Sequence, residues 1–342
     1  MIKKLLGFIK KHRFQTIICA VIVILATALA IYMICSKESD NNHPSLDKTV
    51  LLSSGEYEMT LDEALFLTKN KQAYYEAYYL STDADLDWNM DYEDGKTFQE
   101  VVLEESLDFV KEIFLFSEYA KSNGITISDT ELSSIESEVE TFISDSNKKL
   151  IAATQVTNDV LRRVYIRTAY HDKLCDQIYS KTDLTIDRDE VRQCLVAAVE
   201  LSPKYYTSPD TTAETIMNRV NSGEVITEVA SIYDAEAVKG NIGKGSLGGN
   251  ILEELCLSLK SGECKTTQID GTYFVVYCYL EYDEDATDIA EENKLEELKA
   301  EAVAAYYQKL LAEMPVTVNE DAWATINFDE HIFTEEDLPS EY

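Results

Sequence analysis

Basic side chains are scarce in this 342-residue chain beyond its first 35 residues. Five of its 30 Lys and Arg lie there, without any Asp or Glu, leaving 25 basic against 63 acidic residues and a net charge of about −38 for the rest. Gripping a phosphate backbone takes clustered Lys and Arg, so nucleic acid is excluded as a partner. Histidine occurs four times, at His12, His43, His171 and His331, too scattered for a metal site. Seven cysteines show neither CxxC nor regular spacing, which gives no metal motif and no disulfide framework. Cys19 and Cys35 fall in the N-terminal apolar run; Cys175, Cys194, Cys256, Cys264 and Cys278 read as small buried apolar side chains, with room for one bridge. Gly-x-Ser-x-Gly, a Walker loop and HExxH are all missing, so hydrolase and redox readings have no supporting constellation and no cofactor is expected.

What is present begins with Lys3, Lys4, Lys10, Lys11 and Arg13, followed by an uncharged apolar run from Ile17 to Cys35. As a helix that run spans roughly 28 Å, close to the ~30 Å hydrocarbon core of a bilayer. Basic residues before it and acidic sequence after it predict a single-pass protein of the cell membrane, N-terminus cytoplasmic and the bulk of the chain outside. Ala28-Leu29-Ala30 also fits a signal-peptide cleavage site, but the apolar sequence continues through Ile31, Tyr32, Met33 and Ile34, which favours an uncleaved anchor over 1–35. Cys35 is a poor lipidation site, because Ile34 stands where a small residue is required.

Polar sequence containing Pro44 predicts a tether over 36–58, with folded structure starting near Met59. From Thr60 to Glu190 there is no proline and the apolar residues recur at helical spacing. Thr60-Leu61-Asp62-Glu63 and Ser128-Asp129-Thr130-Glu131 have the form of capping boxes, Asn123-Gly124 of a helix stop, and Thr157-Asn158-Asp159 of another start. These helices predict an irregular bundle over 59–192. Beyond it, Leu195–Leu201 reads as a strand, 212–220, 226–233 and 251–259 as helices, and 266–279 as a hairpin about Asp270-Gly271. That order predicts one antiparallel sheet covered by helices over 193–282 and an α+β fold overall. A long amphipathic helix, Ala286 to Met314, is ended by Pro315 within a segment 283–327, and 328–342 reads as a free acidic tail.

Ala213-Glu214-Thr215-Ile216 with Val220-Asn221-Ser222-Gly223-Glu224, Val229-Ala230-Ser231-Ile232-Tyr233, Lys239-Gly240-Asn241-Ile242-Gly243, Leu259-Lys260-Ser261-Gly262-Glu263 and Gly271 to Tyr277 follow one another in the order and spacing of the signature pieces of a parvulin-type peptidyl-prolyl isomerase domain, which 195–280 resembles. Helices before this stretch, and a long helix with Met314-Pro315-Val316-Thr317-Val318 after it, make 59–327 similar to the PrsA/SurA group of chaperones. The resemblance implies a helical chaperone domain, completed by the C-terminal helix, into which the parvulin-like module is inserted. It further implies unfolded or partly folded secreted polypeptides as partners, and it allows a homodimer.

A prolyl isomerase needs no nucleophile. It must hold the proline ring in an apolar pocket and favour the twisted amide on the way over a barrier of ~18–20 kcal/mol. Active parvulins carry two histidines on neighbouring central strands and a cysteine or aspartate near the substrate carbonyl. The resemblance puts the first histidine position at or next to Glu200 and the second at Phe274, and no histidine lies between His171 and His331. Asp234 is the candidate for the carboxylate position. The family's pocket methionine and phenylalanine correspond to Gly248 and Leu252, which leaves Leu247, Leu252 and Phe274 as pocket candidates. Core packing is the plainer role for each of these three, whereas Glu200 is costly to bury unpaired and is expected to face a groove. Tyr74, Tyr75, Tyr78 and Tyr79 suit either grasping of unfolded chains or packing between helices. Three functions follow: a membrane-anchored extracytoplasmic foldase or chaperone with weak or absent isomerase activity, an active parvulin with a rebuilt site, or a non-catalytic adaptor of a surface complex.

Overall fold

The computed structural model describes residues 49–82, 84–145 and 148–334. The expected anchor, most of the tether and the last eight residues lie outside them, and among the described residues no helix is long and apolar enough to cross a membrane. In chain order the elements are β1 (Val50–Ser54), β2 (Tyr57–Thr60), α1 (Leu61–Ser81), β3 (Asp91–Glu93), β4 (Lys96–Thr97), α2 (Phe98–Ser122), α3 (Asp129–Asp145), α4 (Lys148–Thr154), α5 (Asn158–Tyr179), α6 (Arg188–Val191), β5 (Gln193–Leu201), α7 (Pro209–Asn221), α8 (Ile226–Ile232), β6 (Ala237–Gly243), α9 (Ile251–Ser258), β7 (Cys264–Ile269), β8 (Thr272–Leu280), α10 (Glu284–Glu313), β9 (Thr317–Val318) and α11 (Glu320–Trp323). They form two compact units, one of residues 49–182 with 301–334 and one of 183–300.

In the first unit the helices start where their caps dictate. The Glu63 carboxylate accepts the Thr60 N–H at 3.0 Å, and the Glu131 carboxylate accepts the Ser128 N–H at 2.8 Å. The apolar stripes of α1, α2, α5 and the second half of α10 then close over two cores. One holds Val110, Phe114, Phe116, Leu174, Tyr307 and Leu310; the other holds Phe66, Ile135, Val139, Leu161 and Val164. Arg167 of α5 reaches into this packing. Its guanidinium donates to the Glu63 carboxylate at 2.8 Å, to Glu118, and to the Glu58 carbonyl at 2.7 Å, joining β2, α1, α2 and α5 in one buried network. His171, also buried on α5, lies 3.0 Å from both the Glu112 and the Asp172 carboxylates and is stacked on Phe116. Burial alone would push its imidazole down, but bonds to Asp172, Cys175 and Glu112 outweigh it and hold the group well above the usual histidine range.

The first strand among the described residues starts at Val50, ahead of the start expected near Met59. Leu51 and Leu52 are buried because β1 is the middle strand of a small antiparallel sheet, flanked by β2 and by β9 from the far side of the sequence. The expected free tail is corrected over 328–334, where Phe328 and Ile332 are buried in the helical unit. The stretch 183–192 and the first half of α10 group with the sheet unit rather than with the bundle. Arg188 accounts for this, since it bonds Tyr282, Asp288 and Glu291 at 2.9, 2.7 and 2.6 Å.

The second unit is a four-stranded antiparallel sheet in the order β6-β5-β8-β7. Asp270 and Gly271, at φ 48° and 83°, make the two-residue turn between β7 and β8. Strand alternation divides the side chains between two faces. Ala197, Val199, Leu201 and Val275 pack under α7 and α8, while Cys194, Val196, Phe274, Val276 and Cys278 pack under α9. β6 forms over a stretch to which the sequence pattern assigns no strand, because pairing with β5 imposes the extended conformation on an exposed, glycine-containing edge.

Candidate functional site

Glu200 and Phe274 are direct cross-strand partners on β5 and β8, the two central strands of the sheet. Residues opposite one another in an antiparallel pair share a face, so both project to the α9 side. Phe274 is buried, and Leu252 from the first turn of α9 and Leu247 from the loop before it belong to the same apolar cluster. The three pocket candidates are thus brought together, with Glu200 at the end of β5 beside them. Glu200 is half-buried, and its carboxylate has no hydrogen-bond or ion-pair partner among the described residues.

Asp234 does not join this cluster. It lies on an exposed turn at φ 53°, its carbonyl accepts the Tyr206 hydroxyl at 3.0 Å, and its neighbours Tyr233 and Ala235 pack on the opposite face of the sheet. It is at the Glu200 end of β5, since Ala237 pairs with Val199 a few residues on.

The loop that carries Leu247 is held by a residue sequence reasoning missed. Glu253 is buried on α9, and its carboxylate accepts the N–H groups of Gly245, Leu247 and Gly249 at 2.8, 2.7 and 3.1 Å. Burial would push this carboxyl up, but the three amides outweigh it and hold it below the usual range, so it stays ionised as the anchor of the loop. Gly248 and Gly249 both adopt positive φ there, so the backbone can wrap around one carboxylate. The signal available in the sequence is the pairing of that glycine-rich loop with an acidic residue three places after the Asn250 cap, whose side chain accepts the Leu252 and Glu253 N–H groups.

Cys194, Cys256 and Cys278 share the apolar cluster, and every cysteine among the described residues is a free thiol. Burial pushes Cys256 up to about 12 and Cys278 up to about 11, so both stay protonated and neither is a nucleophile at neutral pH. Among the described residues no group of three or more His, Cys, Asp or Glu is arranged to hold a metal ion. A pocket lined by Leu184, Ile186, Glu291, Glu292 and Leu295 is built from other elements than this site. In the helical unit the tyrosines divide. Tyr75 is buried against Trp88 and Phe98, whereas Tyr78 is half exposed and stacks on Tyr74.

No protein-family model matches the chain, and no curated protein does. Among solved structures it is similar to one from a study of PEB4 and Cj1289, SurA-like chaperones of Campylobacter jejuni, at 12% identity over 79% of this chain and 98% of that one, with a TM-score of 0.28. A peptidylprolyl isomerase (PrsA) from Bacillus cereus is 14% identical over 69% of this chain and 95% of its own, with a TM-score of 0.34. The foldase protein PrsA from Lactococcus lactis is 12% identical over 81% and 97%, with a TM-score of 0.32. At these scores the likeness carries no weight for function.

Proposed function

We propose that the chain is a membrane-anchored, extracytoplasmic foldase or chaperone of secreted and surface proteins, in which the sheet unit is a parvulin-like module that binds proline-containing segments and catalyses their isomerisation weakly or not at all. The observation that carries this reading is the pairing of Glu200 with Phe274. The two positions where the parvulin resemblance puts a histidine pair are facing residues on the central strands, above an apolar cluster of the kind a proline ring would enter. The membrane part of the proposal rests on the basic segment and the apolar run from Ile17 to Cys35.

Rotating an X-Pro bond breaks amide conjugation, and an enzyme gains by offering hydrogen-bond donors where charge and lone pairs develop. An ionised glutamate only accepts hydrogen bonds, and a phenyl ring does neither. Replacing a histidine pair by Glu200 and Phe274 therefore removes donors while leaving apolar surface, which favours binding over catalysis. A second reading, an isomerase with a rebuilt site, draws on the unpaired Glu200 carboxylate beside Phe274; an adaptor for one fixed partner is the third. Light scattering of a chemically unfolded client, diluted into the purified protein, separates the chaperone from the adaptor. Suppressed aggregation of several unrelated clients is expected, and suppression of none would contradict the chaperone reading.

A further inference from the structure

Residues 327–334 form neither helix nor strand, and side chains of α1 and α2 bond their main chain. Lys69, Gln72 and Glu76 lie along one face of α1. Lys69 Nζ donates to the Asn327 carbonyl at 2.7 Å and Gln72 Nε2 to the Glu330 carbonyl at 2.8 Å. One oxygen of Glu76 accepts the Ile332 and Phe333 N–H groups at 2.8 and 2.9 Å; the other lies 3.1 Å from His331 Nδ1 and accepts Trp88 Nε1 at 3.1 Å and Gln72 Nε2 at 2.8 Å. Gln99 of α2 accepts the Phe328 N–H. Of residues 327–334, Phe328 and Ile332 are the two whose side chains are deeply inserted. Phe328 packs on Trp88 with ring centroids 4.7 Å apart and under the Lys69 ammonium, and Ile332 belongs to the same buried core as Phe66 and Val160.

Two features set this contact apart from permanent core. Groups that read main-chain N–H and C=O accept almost any sequence, with selectivity left to the pockets that take the inserted side chains. In addition, a lysine and a glutamate are costly to seal inside a fold, yet cost little in a groove that water fills when its occupant leaves. We propose that the groove between α1 and α2 is a peptide-binding site. It takes an extended stretch of another polypeptide bearing an aromatic residue and, four positions later, a branched aliphatic one, and residues 327–334 occupy it as an internal stand-in that keeps it closed. This inference does not depend on the prolyl-isomerase reading of the sheet unit, and either can fail without the other.

The test uses the full chain and a fluorescein-labelled peptide of the sequence Asn-Phe-Asp-Glu-His-Ile-Phe-Thr, with binding followed by anisotropy. A chain opened by Phe328→Ser with Ile332→Ser is expected to bind the peptide at least about tenfold more tightly than the unsubstituted chain, because the closed fraction no longer reduces the apparent affinity. Adding Glu76→Ala is expected to reverse that gain, and a scrambled peptide is expected to bind at least about tenfold more weakly. An opened chain that keeps its cooperative melt but does not bind the peptide would overturn the proposal. So would an opened chain that loses that melt, since the segment would then be structural core. Hydrogen exchange in the unsubstituted chain gives an independent reading: the Ile332 and Phe333 amides are expected to exchange through a local opening, faster than those in the middle of α2, and exchange of both groups at one global rate would also overturn it.

Discussion

Glu63 and Glu118 are both buried against the guanidinium of Arg167; Glu118 also pairs with the more exposed Lys121 at 3.0 Å, and Arg163 stands 3.7 Å from Glu63. Arg167→Ala is expected to cost about 3–5 kcal/mol, as removal of one partner from a buried ionic network does, read as a lower urea midpoint for the helical unit. Burial pushes Glu63 up, but Arg167 and the Thr60 bonds outweigh it, so its folded value is lowered. Its contribution to stability is therefore complete above the ordinary glutamate value of about 4.3 and is lost as pH falls through the lowered one. His171 has the opposite sign. Its raised value adds stability that is complete below about pH 6.5 and disappears as pH rises through the folded value. Urea midpoints measured across pH should thus fall on both limbs, and His171→Gln should flatten the alkaline one. In the sheet unit, Glu253→Ala strands three loop amides, and a loss of about 1–3 kcal/mol is expected. The check is faster hydrogen exchange at Gly245, Leu247 and Gly249, with the strand amides of β5 unchanged.

Turns and caps decide the elements, and here sequence and structure agree where the signal is local. The Thr60 and Ser128 boxes, the Asn123-Gly124 stop and the Asp270-Gly271 hairpin are each set by residues within four places of one another. Gly271→Ala should cost about 1–2 kcal/mol from its left-handed backbone alone, because a Cβ there meets only Pro203 at an ordinary 3.9 Å; a lower thermal midpoint is the readout. Elements made by distant partners were not legible. β1 is a strand because β9 and β2 flank it, and β6 because β5 lies beside it; neither segment carries an apolar alternation strong enough to announce it. The docked 327–334 segment was hidden for the same reason, since its partners Lys69, Gln72 and Glu76 lie 258 or fewer residues back in the sequence and look like ordinary polar positions of α1.

On the scale of the whole molecule, the strongly acidic composition outside the first 35 residues has a consequence for the partners proposed here. Basic clients should bind more weakly as salt rises from about 0.05 to about 0.5 M, with neutral clients little affected, measured by the same aggregation assay. The candidate site itself was half legible. The apolar trio Leu247, Leu252 and Phe274 and the position of Glu200 follow from ordered motifs, whereas the Glu253 anchor depends on where a loop folds back, which no local pattern encodes.

Whether the sheet unit binds proline with little or no catalysis is read from one NMR titration of Ala-Pro and Glu-Pro peptides into the purified protein, with peptide shifts and cis/trans exchange taken from the same spectra. Binding shifts that weaken in Leu252→Ala are expected, with exchange no faster than in buffer. Accelerated exchange that disappears in Glu200→Ala would contradict that expectation and make Glu200 part of a working isomerase site.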